Sequence, residues 1–157
     1  MGSVIPAGEL CGVVTIALWD PNGYCIERVV THNRLYKTGV EVLWLRAFGQ
    51  NNIPAFAWLA AGQNGNPNSE AMTGLGDERY RAPITSVNWN STTEELVMRH
   101  IMGKTAGNGF TFREAMIVNA SPSGGTMLCR VPYADKLKDA NNILTFEWKL
   151  KLTRALT

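Results

Sequence analysis

The strictest constraint on the fold comes from the final stretch of the chain. Between Ile143 and Leu152, Leu144, Phe146, Trp148, Leu150 and Leu152 alternate with Thr145, Glu147, Lys149 and Lys151. Successive side chains of a strand point to opposite faces, so this segment predicts a half-exposed antiparallel strand with one buried side. Lys149, Lys151 and Arg154 put positive charge on the polar side. Lysines there discourage unwanted strand pairing, and in an assembly they could face an acidic neighbour.

The remaining segments read mostly as strands. Val13–Trp19 is β-branched and aromatic, Asp20-Pro21-Asn22-Gly23 has turn chemistry, and Tyr24–Val30 returns, so residues 10–31 predict a hairpin. If that turn sets the register, Trp19 faces Tyr24, and Cys11 and Cys25 are not opposite each other. Ile53–Ala61 is a short apolar run that predicts a buried strand, and 62–76 a long polar loop. Residues 82–89, 95–102, 110–119, 126–131 and 143–152 are further candidate strands. One segment predicts a helix, over 38–49. Thr38-Gly39-Val40-Glu41 has the form of a capping box, and Gly49 suits a left-handed C-cap. Val40, Leu43, Trp44, Ala47 and Phe48 form one apolar stripe, read as the face turned to the core. The expectation is a mainly antiparallel β-sandwich or open barrel of about seven or eight strands with one packed α-helix. Residues 1–10 read as an extended N-terminal arm or a disordered terminus, and 11–157 as a single β-rich domain.

Composition narrows the function classes. The chain has 157 residues, 45% hydrophobic and 18% charged, with a formal net charge of +2. Such near-balance argues against a dedicated nucleic-acid binder. The low charge suits a domain that buries part of its surface against other subunits. No run reaches the ~18 apolar residues of a membrane span, and the first residues lack the basic and apolar regions of a signal peptide. The chain is expected to stay in the cytoplasm in which it is made.

A search for chemistry yields little. Cys11, Cys25 and Cys129 share no metal-ligand spacing and read as half-buried thiols. His32 and His100 lie near no Cys, Asp or Glu at ligand spacing and read as hydrogen-bonding or surface histidines. No nucleophile elbow or phosphate-cradling loop occurs. Asp77-Glu78 and Glu94-Glu95 are neighbours that point apart on a strand, and read as solvated charge. Asn64, Asn66, Asn68, Glu70 and Asp77 offer oxygens to calcium without the Asp-rich pattern such loops need. No enzyme activity and no cofactor is expected.

Four segments, taken in order, resemble a group of small structural proteins of tailed bacteriophage virions. The first is the hairpin followed by His32-Asn33-Arg34-Leu35-Tyr36-Lys37-Thr38-Gly39 and a helix. The second is Leu59-Ala60-Ala61-Gly62-Gln63-Asn64-Gly65-Asn66-Pro67, running on through Leu75-Gly76-Asp77-Glu78-Arg79-Tyr80-Arg81. The third joins Phe110–Ala120 to Gly124-Gly125-Thr126-Met127-Leu128-Cys129-Arg130, with Met116 where Gly is common. The fourth is Lys136–Leu152. The resemblance implies a virion protein: capsid decoration, head fibre, tail or baseplate. It supplies no catalytic residues.

The reading favoured here is a capsid decoration (cement) protein. Its expected partners are the major capsid protein and itself, as a homotrimer, with no nucleic acid and no membrane. The alternative is a tail or baseplate component, such as a receptor-binding or adaptor module, in which Trp58, Trp89 and Trp148 could touch a partner or glycan rather than sit in the core. Interface candidates are Ile5, Pro6 and Leu10 of the arm, Asn64, Asn66 and Asn68 of the loop, and Lys149 and Lys151. Glu78 with Arg81, and Glu114 with Arg130, are candidate charge pairs that pin the long loop to the sheet. The alternative for these four is plain surface charge.

Overall fold

The computed structural model describes residues 10–152. The arm with Ile5 and Pro6 lies outside the described residues, as does Arg154, and Leu10 opens the first strand.

The elements are β1 (Leu10–Trp19), β2 (Cys25–His32), β3 (Arg34–Leu35), α1 (Lys37–Ala47), β4 (Trp58–Gly62), β5 (Glu78–Pro83), β6 (Ser86–Asn90), β7 (Glu95–Met102), β8 (Phe110–Val118), β9 (Met127–Lys138) and β10 (Ile143–Leu152). They form two five-stranded sheets, β2-β1-β10-β7-β6 and β3-β9-β8-β4-β5, in which every pairing is antiparallel. Among the described residues the fold is a β-sandwich with one helix. There are more strands than predicted because the 82–89 segment is divided between β5 and β6, and a two-residue β3 carries the chain from one sheet to the other.

The alternation of β10 places the core. Leu144, Phe146, Trp148 and Leu150 are buried between the sheets, with Val14, Ile16 and Leu18 of β1 beside them. Leu59, Ala61, Ala115, Ile117, Cys129 and Val131 face them from the second sheet. Trp148 is therefore a core residue. Cys129 is buried too, and desolvation pushes its thiol up to about 12, whereas Cys25 is exposed.

Three local expectations are corrected. The first is the hairpin register. Trp19 pairs with Cys25, not Tyr24, and Leu18 then faces Glu27, leaving Ile26 as the extra residue of a bulge. The cause is Asp20, whose carboxylate accepts from the amides of Asn22 and Tyr24 at 2.8 and 2.9 Å and draws Tyr24 into the turn. Cys11 pairs with Lys151 at the other end of β1 from Cys25.

The second correction is the helix. Its N-cap is Tyr36, with no side-chain cap bond, so Thr38 and Glu41 do not form a capping box. Tertiary contacts start the helix instead: Tyr36 is buried and its amide donates to Leu128 O at 3.0 Å. Gly39 is the buried residue of the helix, and a Cβ there would lie 2.4 Å from Met127 O. That approach turns Val40 and Leu43 toward the core and rotates the rest of the stripe outward. Trp44 is 45% and Phe48 83% exposed, and Ala47 is exposed as well. Gly49 does follow the helix at φ +105°.

The third is the 53–61 run, in which only Trp58 onward is strand. Pro54 removes a ladder donor near its start.

Candidate functional site: a loop locked over one sheet

The segment 63–77 crosses the outer face of the second sheet. Met72 and Leu75 from this loop, with Trp58, pack on Tyr36, Ala60, Met116, Val118 and Met127, making a small second core outside the sandwich. An outward sheet face normally meets water, so the polar residues beneath the loop need partners inside the protein.

Glu114 and Arg130 supply them. Both side chains are fully buried, and Arg130 meets the Glu114 carboxylate through Nε at 3.0 Å and Nη2 at 2.9 Å. The remaining capacity of each group goes to the loop. Glu114 accepts from the amides of Asn64, Gly76 and Asp77 at 3.2, 3.1 and 3.0 Å, gripping both loop ends. Arg130 donates to Asn66 O, Asn64 O and Asn68 Oδ1 at 3.0, 3.1 and 2.8 Å, gripping its first half. Gly62 is where the carboxylate fits: a Cβ there would lie 2.4 Å from Asp77 O and 2.5 Å from Glu114 Oε1.

Glu78 and Arg81 form a second clamp. They pair at 2.7 Å, and Arg81 also donates to Ala120 O and Gly124 O at 2.7 and 2.9 Å, tying β5 to the turn before β9. Arg113 pairs with Asp135 at 2.6 Å and donates to Gln63 O at 3.2 Å; its hydrogen bond holds the Asp135 carboxyl below its ordinary value. Arg34 pairs with Glu70 at the loop rim.

These bonds decide what the loop asparagines can do. Asn64 Oδ1 accepts from the Asn66 amide at 2.9 Å, and Asn68 is held by Arg130 on both sides, its amide donating to Arg130 O at 3.4 Å. Both are half-buried supports of the loop, and Asn66 alone of the three has an exposed side chain. Four of the five calcium candidates are engaged with other groups: Asn64 and Asn68 in these bonds, Glu70 with Arg34, and Asp77 with Arg79 at 3.0 Å. Among the described residues no three His, Cys, Asp or Glu side chains gather where they could hold a metal.

The outer face of the first sheet carries partly exposed charges. Arg99 pairs with Glu147 at 2.7 Å, and Lys149 lies 3.5 Å from the same carboxylate. Lys151 is exposed at the end of β10. His32 is exposed. His100 is buried: Nδ1 donates to Pro83 O at 2.9 Å, which leaves Nε2 to accept from the Tyr80 hydroxyl at 2.9 Å. Burial lowers its pKa, and with both nitrogens engaged it joins the two sheets rather than serving as a base for Thr85, whose Oγ1 lies 3.5 Å from the protonated Nδ1.

The feature missed in the sequence is apolar surface. Trp44, Leu45 and Phe48 stand out of α1, and Val87 and Trp89 out of β6, at 38–83% exposure. Between α1 and β6 lies a hollow of about 290 Å³ lined by Leu43, Phe56, Val87, Trp89, Leu96 and Leu150, with Arg46 at its charged margin. Periodicity identified the helix stripe but not its direction. Trp58 is half-buried and Trp89 is 62% exposed. No helix among the described residues is long and apolar enough to cross a membrane.

No protein-family model, curated protein or solved structure matches the chain.

Proposed function

We propose that the protein is a non-catalytic structural component of a bacteriophage virion: a capsid decoration protein that binds across major capsid protein subunits as a homotrimer and stabilises the head. The observation that carries this reading is the set of large apolar side chains exposed together on α1 and β6. Exposed apolar surface of this extent marks an interaction site. The locked loop supports the same role. A surface held by buried hydrogen bonds loses little conformational entropy when a partner binds it. The order of motifs along the chain, similar to that of phage structural proteins, supplies the kind of partner.

A ligand that binds only the assembled shell stabilises it by mass action, and attachment at several points strengthens retention. The test is to add purified protein to phage capsids lacking decoration. Saturable binding, density over subunit joints by cryo-electron microscopy, and a raised disruption temperature are expected. Density confined to the tail, or no binding, would reject the reading.

A further inference from the structure

The dipeptide Asn-Gly occurs three times in the chain, at 22–23, 64–65 and 108–109. The Gly amide nitrogen of such a pair can attack the Asn carboxamide carbon, since no Cβ obstructs the approach. The amide gives its proton to hydroxide, the leaving nitrogen takes one from water, and ammonia departs from a five-membered imide. Water then opens the imide at either carbonyl. Opening at the side-chain carbonyl gives aspartate; opening at the main-chain carbonyl gives isoaspartate, in which the chain continues through the former side chain. In an unfolded chain three such pairs react alike, and the fold sets them apart.

Two of the three are held. Asn108 donates through Nδ2 to Lys104 O at 2.8 Å and accepts at Oδ1 from Lys138 Nζ at 2.9 Å, while the Gly109 amide donates to Lys138 O at 2.8 Å. Asn64 Oδ1 accepts from the Asn66 amide at 2.9 Å, and its Nδ2 is packed so tightly that a Cβ on Gly76 would lie 2.1 Å away. Either carboxamide must leave these partners before it can be attacked. At Asn22 the carboxamide has no hydrogen-bond partner among the described residues, since the Asn22 bond to Asp20 is made by its main-chain amide. Asn22 and Gly23 are both exposed, and nothing lies within 4 Å of a Cβ built on Gly23. The Gly23 amide donates to Asp20 O at 3.1 Å, an exposed turn bond for which water competes.

We propose that Asn22-Gly23 is a self-modifying site, which converts to aspartate and isoaspartate in the folded protein while the other two pairs are protected. Its position gives the conversion a consequence. The Asp20 carboxylate holds this turn by accepting from the Asn22 and Tyr24 amides. A second carboxylate two residues away repels it, and isoaspartate adds a main-chain atom between those two amides. The turn that sets the β1–β2 register is thereby loosened. The inference does not rest on the proposed function.

The test is to incubate the full chain at mildly alkaline pH, folded and in guanidinium chloride, and to follow each site by peptide mass mapping with enzymatic methylation of isoaspartate. In the denaturant the three sites should convert at similar rates. In the folded protein Asn22 should convert at least about tenfold faster than Asn64 or Asn108. Amide exchange at Tyr24 should rise several-fold as it does. Asn22→Ser, whose side chain cannot form the imide, should acquire no charge at this turn and keep the melting temperature of the parent. A folded protein whose Asn22 stays intact while the unfolded sample reacts, or in which Asn64 or Asn108 reacts as fast, overturns the proposal. Conversion that leaves exchange at Tyr24 unchanged overturns the loosening of the turn.

Discussion

Two ion pairs of this protein have the same chemistry and opposite surroundings. Arg130 meets Glu114 at 2.9 Å with both side chains at 0% exposure, and Arg99 meets Glu147 at 2.7 Å with side chains 53% and 27% exposed. Each joins neighbouring strands on an outward sheet face. The difference is the loop over the first pair and the water over the second. In water, an ion pair is screened and each partner is well solvated when the other is lost. Under the loop, loss of one partner leaves a charge with neither solvent nor counter-ion. Distance alone therefore says little about what a salt bridge does; the covering decides it.

The largest expected effect tests that contrast directly. Glu114→Ala strands the Arg130 charge and three loop amides, and urea unfolding should show a loss of about 3–5 kcal/mol. Replacing both partners by apolar residues, Glu114→Leu with Arg130→Met, should cost less than Glu114→Ala alone, because no charge remains buried. A single-variant loss below about 1 kcal/mol would mean that the loop opens easily enough to hydrate Arg130.

Gly62→Ala comes next. The added methyl must displace Asp77 O or the Glu114 carboxylate, and a cost of about 1–3 kcal/mol is expected, with faster proteolysis within 63–77. An unchanged melting temperature would show that the carboxylate can move aside.

The exposed aromatic helix face should respond far less in the isolated domain. Trp44→Ala is expected to cost about 1 kcal/mol or less, against about 3–5 for Trp148→Ala in the core. Equal losses would place Trp44 against the core after all. The smallest effect belongs to the open pair: Arg99→Ala should cost about 0.2–1 kcal/mol and shrink further with added salt. A salt-insensitive loss as large as that of Glu114→Ala would erase the distinction between the two faces.

Much of the fold was legible in local pattern. The alternation of β10 predicts which side of it is buried, because strand periodicity is a property of the backbone and needs no knowledge of the neighbours. The hairpin was visible for the same reason, but its register was not. The register depends on how the Asp20 carboxylate bonds to the turn amides, and Tyr24 can sit inside or outside that turn with the same residue types. The helix was visible from its spacing, yet its facing was misjudged. An apolar stripe states that a helix has a greasy side and not which neighbour lies closest. Gly39, chosen for close approach to β9, settled that.

The loop shows both halves of the matter. Glu114 and Arg130 stood out as charges near strands and turns, and the structure brings them together, but their burial depends on a segment that meets them only in three dimensions. The loop asparagines looked like free surface groups; Asn64 and Asn68 are instead engaged with the loop and with Arg130. The sequence by itself determined the β class, most of the strand positions and the apolar side of β10, since these follow from period and turn chemistry along the chain. Only tertiary structure decided which charges are dry, which asparagines are spent and which aromatics face outward. Solvent exclusion is set by what packs above a residue, and that neighbour is distant in the sequence.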